Sequence, residues 1–128
     1  MIELKSITLH DLLFAHKIRN ICRESFFNQK KVNFPETVDW FRNLKTSFFI
    51  ILLDGERVGT ISVKDNEVGN VAILPKYRRK GILTQTMEII EKRFGSNLCL
   101  EVRPENKIAI KAYEKLGFVI TKIIMEKK

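Results

Sequence analysis

Four cations stand directly before a glycine, at the point where the sequence changes from an apolar, strand-like stretch to a helical pattern. The first N–H groups of a helix have no partner inside it, and they carry the positive end of its dipole. A glycine there lets a ligand approach the backbone, so the combination favours an anion, phosphate above all. A solvated surface turn is the simpler interpretation of a basic run alone. The cations are Lys76, Arg78, Arg79 and Lys80, and the glycine is Gly81.

The charge of the whole chain indicates the same kind of partner. Among its 128 residues, 23 Lys and Arg against 15 Asp and Glu give a net charge of +8. A basic protein attracts polyanions, which include nucleic acid, anionic membranes and ligands with several phosphates. No recognised nucleic-acid motif is present, so we expect nucleic acid to be an unlikely partner. The longest apolar run, 48–53, is too short to cross a bilayer, and we expect no membrane partner.

The other reactive residue types predict neither a metal site nor secretion. His10 and His16 are six residues apart and would lie on different faces of a helix, so no metal is expected. Cys22 and Cys99 each stand in an apolar pattern and are predicted to be buried thiols in a reducing compartment. The N-terminal residues mix charged and apolar side chains from the start, unlike a secretory signal. We therefore expect a cytoplasmic protein.

Hydrophobic periodicity predicts the elements that hold the basic loop. Asp54-Gly55 between two apolar runs is a strong hairpin signal, and Pro75 ends the strand before the loop. The order is strand, two helices, three strands, helix, strand, helix, strand, which is a single α/β domain over residues 1–128. Strands are predicted at 2–9, 47–53, 57–64, 67–74, 97–102 and 118–125, and helices at 11–23, from Pro35 to Leu44, from Gly81 to Gly95 and at 106–117.

Two segments resemble motifs of the GCN5-related N-acetyltransferase (GNAT) superfamily. Residues 78–83, RRKGIL, are similar to the R/Q-x-x-G-x-G/A signature, except that Leu83 replaces a small residue. Residues 106–118 read N-x-x-A-x-x-x-Y-x-x-L-G-F, similar to the family's helix after the fifth strand. Walker and dinucleotide fingerprints are absent. The resemblance implies a mixed, mostly antiparallel sheet flanked by helices, β-α-α-β-β-β-α-β-α-β, with acetyl-CoA as acyl donor.

The resemblance also implies where acetyl-CoA binds. The strand at 71–74 is expected to diverge from the strand at 98–102, and the pantetheine arm would lie in the gap like an added strand. Backbone N–H groups there would polarise the thioester carbonyl. The pyrophosphate would lie on the basic loop and the helix that follows it. The expected donor-binding residues are Val71, Ala72, Ile73, Lys76, Arg78, Arg79, Lys80, Gly81, Ile82, Leu83 and Asn106.

The implied chemistry is direct attack by a neutral amine with both substrates bound. No Ser/His/Asp or Cys/His arrangement suggests a protein nucleophile. Tyr113, seven residues after Asn106 and on the same helix face, is the candidate acid for the leaving thiolate. Glu67 is the first candidate for the general base, because alternation along the strand would put residues 67, 69, 71 and 73 on one face. A surface carboxylate with deprotonation through water is the alternative.

The acceptor side is expected on the first two helices. Residues 18–41 loosely resemble family members that acetylate nucleotide-linked amino sugars, which makes such a sugar the first expectation. Guanidinium and amide groups suit phosphates or hydroxyls, and aromatic faces suit a base or a sugar. The aromatic residues could equally belong to the core. The expected acceptor residues are Arg19, Asn20, Arg23, Phe27, Asn28 and Trp40.

Two alternatives to that function stay open. A protein or peptide amine is the other acceptor within the same chemistry, and a CoA-binding module without turnover is suggested by Leu83 and by the end of the sequence. Relatives usually have two strands after the last helix, whereas 118–125 gives room for one. A second chain could complete the sheet, so we predict a homodimer. A monomer mass by light scattering at micromolar protein would contradict the dimer.

Overall fold

Apolar strands form a five-stranded sheet in which spatial order follows chain order. The first four strands pair antiparallel, and the fifth pairs parallel to the fourth. This is the mixed, mostly antiparallel sheet that the sequence predicts. The computed structural model describes residues 1–26 and 28–128. The elements are β1 (Ile2–Ser6), α1 (Leu12–Ile21), α2 (Phe34–Arg42), β2 (Ser47–Leu53), β3 (Glu56–Lys64), β4 (Glu67–Ile73), α3 (Ile82–Phe94), β5 (Cys99–Leu100) and α4 (Lys107–Lys115).

The two faces of the sheet carry different helices. The apolar side of α3, which includes Met87, packs with Ile61 and other strand residues in the main core cluster. On the opposite face, Ile18 of α1 packs against Ala72 of β4, and α2 lies against α1. None of the helices in the described ranges is long and apolar enough to cross a membrane. The sheet therefore separates the side of α3 from the side of α1 and α2.

The predicted hairpin between β2 and β3 is confirmed. Asp54 and Gly55 both have positive φ, 51° and 85°. Two-residue turns with positive φ at both positions match the twist of the strands that they join, and Asn or Asp followed by Gly adopts them most readily. This local signal fixes the pairing of the two central strands.

Three predictions about the C-terminal half are wrong. Residues 118–125 form no strand, and β5 is two residues long instead of six. A strand needs the edge of another strand to pair its backbone groups, and so short a β5 provides almost none. Cys99 is also exposed, whereas Cys22 is buried as predicted. The apolar side chains left exposed after α4 are Val119, Ile120, Ile123, Ile124 and Met125.

A buried carboxylate ties together β1, the start of α1 and β3. Asp11 is fully buried and accepts hydrogen bonds from Lys5 Nζ at 2.5 Å, the Thr8 N–H at 2.8 Å and Arg57 Nε at 3.0 Å. Burial alone would raise the pKa of Asp11, but these bonds outweigh it and lower the pKa from 3.8 to about 2. The ionised form therefore stabilises the folded state.

Replacing Asp11 should reduce the acid sensitivity of folding. A folded pKa of about 2 against 3.8 when unfolded contributes about 2 kcal/mol, present above the unfolded pKa and lost as the pH falls through the folded one. We expect the free energy of urea unfolding to fall less steeply in Asp11→Asn than in wild type between about pH 6 and pH 2. Asp54→Asn, in an exposed ion pair with the amino terminus, is the control and should follow wild type. Equal slopes for Asp11→Asn and wild type would contradict this.

Candidate functional site

β4 contains a bulge at its centre. The register with β3 shifts between Thr60 and Ser62, so that Asn70 and Val71 both lie opposite Ile61. The bulged Asn70 has a left-handed backbone, with φ of 51°. Its side-chain amide donates to Ser62 Oγ at 2.8 Å, and Thr60 Oγ1 donates to its carbonyl oxygen at 2.7 Å. Because β3 holds Asn70 at two points, the bend that a bulge gives a strand is fixed.

One edge of β4 is open after the bulge. β5 pairs with β4 only at Glu67 and Val68, so the rest of β4 has no neighbouring strand on that side among the described residues. Leu74 N–H donates toward β3, to the carbonyl oxygen of Val58 at 2.9 Å. Peptide groups alternate between the two edges of a strand, so the N–H groups of Val71 and Ile73 point to the open edge. We call this gap between β4 and β5 the wedge.

The start of α3 is an uncapped helix N-terminus. Gly81 has φ of 74°, and a Cβ added there would meet no atom within 4 Å. No side chain in the described ranges caps the helix. Arg79 and Lys80 are exposed, and Lys76 lies over the Tyr77 ring at 5.1 Å. Free N–H groups, an open glycine and cations fit a pyrophosphate, and the adjoining wedge fits an extended arm.

Arg78 differs from its basic neighbours because its guanidinium is directed away from the start of α3. Its Nε donates to the Ile73 carbonyl oxygen at 3.0 Å, and its Nη2 donates to Glu24 Oε1 at 3.4 Å and contacts Cys22 Sγ at 3.5 Å. The family resemblance implies that this side chain belongs to the phosphate-binding group. The structure instead places it between the end of β4 and the turn after α1.

The second motif places Asn106 and Tyr113 on α4. Asn106 caps the helix, accepting from the Ala109 N–H at 3.2 Å through its side-chain oxygen. The Tyr113 ring packs edge-on against Phe118, with centroids 5.9 Å apart. Burial raises the pKa of Tyr113 to about 12. The phenol therefore keeps its proton throughout the physiological range and can donate it in a hydrogen bond.

The expected orientation of Glu67 is wrong. Before the bulge, Val68 packs on the α3 side, so Glu67 and Gly69 point to the side of α1. After the bulge, Ala72 packs on the α1 side and Val71 on the α3 side. Glu67 thus shares a face with Ala72, because the extra residue reverses the alternation. It is exposed at the start of β4, and its role as base stays a prediction.

Glu101 is a further candidate site residue that belongs to neither of the two sequence motifs. It follows β5 directly, two residues after Cys99, which lies in register with Glu67. Extending that parallel register places Glu101 level with Gly69, beside the point where the strands separate. Its position in the sequence could have indicated this, because Glu101 is a carboxylate directly after a strand that borders the wedge.

Most of the expected acceptor residues build the segment between α1 and α2. Asn20 bonds both backbone groups of Val32 at 2.9 Å, and Arg19 Nη2 donates to the Asn28 carbonyl oxygen. The Trp40 ring packs edge-on against Phe48, with centroids 4.9 Å apart. Arg23, exposed, begins the turn after α1, and Phe27 lies outside the described residues. These contacts hold the fold together, which leaves fewer groups for a ligand than predicted.

An open groove lies beside the bulge on the side of α2. Its volume is about 530 Å³. One wall is α2 with the loop that follows it, and the bulged Asn70 is part of the lining. The groove therefore reaches the bulge. Its lining residues are Glu36, Asp39, Trp40, Asn43, Leu44, Lys45, Thr46, Lys64 and Asn70.

Known proteins resemble this chain in sequence and in fold. An N-alpha-acetyltransferase of Sulfurisphaera tokodaii is 32% identical over an alignment of 108 residues, which covers 68% of this chain and 65% of that protein. The ribosomal-protein-S18-alanine N-acetyltransferase from Escherichia coli has a crystal structure that covers 95% of this chain and 80% of its own, with 26% identity and a TM-score of 0.65. A possible acetyltransferase from Clostridium difficile 630 aligns over 100% of this chain and 97% of its own, with 20% identity and a TM-score of 0.76.

A family profile also matches most of the chain. The profile of the acetyltransferase (GNAT) family matches residues 15–118, which include the bulged strand, the basic loop and α4. The bulge, the wedge and the uncapped start of α3 all lie within this range. The chain therefore belongs to the acetyltransferase (GNAT) family.

Proposed function

We propose that this protein transfers the acetyl group of acetyl-CoA to the α-amine of a peptide or protein, with both substrates bound at once. The observation that carries the proposal is the open edge of β4 next to the uncapped N-terminus of α3. The first offers backbone donors to an extended arm, and the second offers N–H groups to a pyrophosphate. Membership of the acetyltransferase (GNAT) family supports the same donor.

Donor binding would use backbone more than side chains. Val71 and Ile73 would hold the arm through their N–H groups, and the first N–H groups of α3 after Gly81 would hold the pyrophosphate. Arg79 and Lys80, both exposed beside that helix, would add charge for the phosphates. When bound, acetyl-CoA supplies an acetyl group activated as a thioester. A Val71 N–H aimed at the thioester oxygen would stabilise negative charge that develops there.

Tyr113 would act on the leaving sulfur. Its pKa of about 12 lies above that of an ordinary thiol, about 8.5, so full proton transfer to the leaving thiolate is unfavourable. The protonated phenol can instead donate a hydrogen bond to the sulfur. This bond strengthens as negative charge develops on the sulfur, and it requires no full proton transfer. The Tyr113 hydroxyl forms no hydrogen bond with any of the described residues, so it is available to the leaving sulfur.

A peptide acceptor has more support than an amino-sugar nucleotide. The N-alpha-acetyltransferase of Sulfurisphaera tokodaii and the S18-alanine N-acetyltransferase of Escherichia coli both take their names from acetylation of such amines. The amide of Asn20 and one guanidinium nitrogen of Arg19, expected to grip the nucleotide, bind backbone in the segment between α1 and α2. The groove beside α2 has a volume of about 530 Å³ and is lined by both charged and apolar side chains, which a peptide chain could contact.

A homodimer and a cytoplasmic location stay predictions. The five apolar side chains exposed after α4, Val119 to Met125, offer an unpaired strand-forming segment that a second copy could cover.

Release of CoA thiol should identify the acceptor class. With acetyl-CoA at saturation, we expect release with peptides that have a free amino terminus. The same peptides with a blocked terminus are the matched control and should give none. Release only with a UDP-amino sugar or a polyamine would show that the acceptor class is wrong. Calorimetric binding of acetyl-CoA without release on any amine would favour the CoA-binding module.

Removing the Tyr113 hydroxyl should slow the chemical step selectively. We expect Tyr113→Phe to lower kcat by about 10²-fold with little change in the Kd of acetyl-CoA. The raised pKa also predicts that wild-type kcat shows no loss from phenol ionisation below about pH 11. Tyr77→Phe, whose hydroxyl donates to Glu56, is the matched control and should keep kcat. Unchanged turnover in Tyr113→Phe would remove this role.

A further inference from the structure

Arg78 connects two parts of the chain that are far apart in sequence. The carbonyl oxygen of Ile73, which accepts from its Nε at 3.0 Å, lies at the end of β4 on the open edge. Glu24, which accepts from its Nη2 at 3.4 Å, and Cys22, 3.5 Å from the same nitrogen, lie in the turn after α1. One planar guanidinium thus spans from the strand to the turn, which suits the fixed fork of arginine.

The same turn also reaches the second motif. The carbonyl oxygen of Glu24 accepts from Asn106 Nδ2, the cap of α4, at 3.4 Å, and from Gln29 Nε2 at 3.3 Å. Glu24 therefore contacts the basic loop with its carboxylate and α4 with its backbone. The turn bridges the basic loop and the start of α4. This turn is the first part of the segment between α1 and α2.

We propose that the Arg78–Glu24 pair holds the segment between α1 and α2, which leads into the α2 wall of the groove, against the open edge of β4 and so positions the acceptor. This inference rests on the proposed function, since it assigns the pair to acceptor binding. The Arg78 guanidinium is already bonded to β4 and the turn, so Arg79 and the start of α3 would bind the phosphates of acetyl-CoA. Arg78 and Glu24 are positioning residues, because neither touches the reacting atoms.

The physical effect is one of geometry. An exposed ion pair adds little to stability, and the Glu24 carboxylate is 63% exposed. A small displacement of a substrate-positioning segment can nevertheless cost a large factor in rate, since the amine must meet the thioester at reacting distance. Loss of the pair should therefore change acceptor kinetics much more than stability.

A double-mutant cycle separates this role from phosphate binding. We expect Glu24→Ala and Arg78→Ala each to raise the peptide KM by about tenfold, with non-additive effects in the double variant, and to leave the Kd of acetyl-CoA within about twofold. Arg78→Lys keeps the positive charge but loses the planar guanidinium with its several fixed N–H donors, and it should behave like Arg78→Ala. Arg79→Ala is the matched control, with the opposite pattern of a raised acetyl-CoA Kd and an unchanged peptide KM.

A second readout does not depend on turnover. The N–H groups of Ser25 and Phe26 donate to Cys22 and Arg23 within the turn. Their hydrogen exchange should accelerate in Glu24→Ala and Arg78→Ala but not in Arg79→Ala. Weaker acetyl-CoA binding in Arg78→Ala with unchanged peptide KM would overturn the inference, as would unchanged exchange. If wild type acetylates no acceptor, the proposed function fails, and exchange alone then decides whether the pair holds the turn.

Discussion

One extra residue in β4 sets the geometry of the whole site. The bulge at Asn70 is held by two hydrogen bonds from β3, and it separates a half of β4 that pairs with β5 from a half that does not. Unpaired backbone N–H groups inside a fold are unfavourable unless a partner arrives. The open edge at Val71 and Ile73 is thus suited to a ligand that adds like a strand.

Three other features belong to the candidate site. α3 begins without a cap, and α4 carries Tyr113, whose pKa burial raises to about 12. The turn after α1 is held to the end of β4 through Arg78 and Glu24. The buried Asp11 joins β1, α1 and β3, so that the sheet and the first helix keep one relative position.

Features that depend on local sequence were predictable. Asp54-Gly55 gave the hairpin, Gly81 marked the start of α3, and the seven-residue spacing of Asn106 and Tyr113 placed both on α4. Features that depend on pairing between distant segments were not. The bulge arises from the register with β3, so the strand pattern alone put Glu67 on the wrong face. Residues 118–125 have the composition of a strand, but the short β5 leaves them no edge. The side chain of Arg78 has partners more than fifty residues away, which a motif cannot reveal.

Hydrogen exchange of the β4 amides, followed by NMR as CoA is added, tests whether the open edge of β4 binds the donor. CoA should slow exchange of the Val71 and Ile73 N–H groups and of the first N–H groups of α3. Ala72, whose backbone pairs with Thr60 of β3, should change little and serves as the internal control. Binding of CoA with no protection at Val71 and Ile73 would contradict the claim that the open edge of β4 is the donor site.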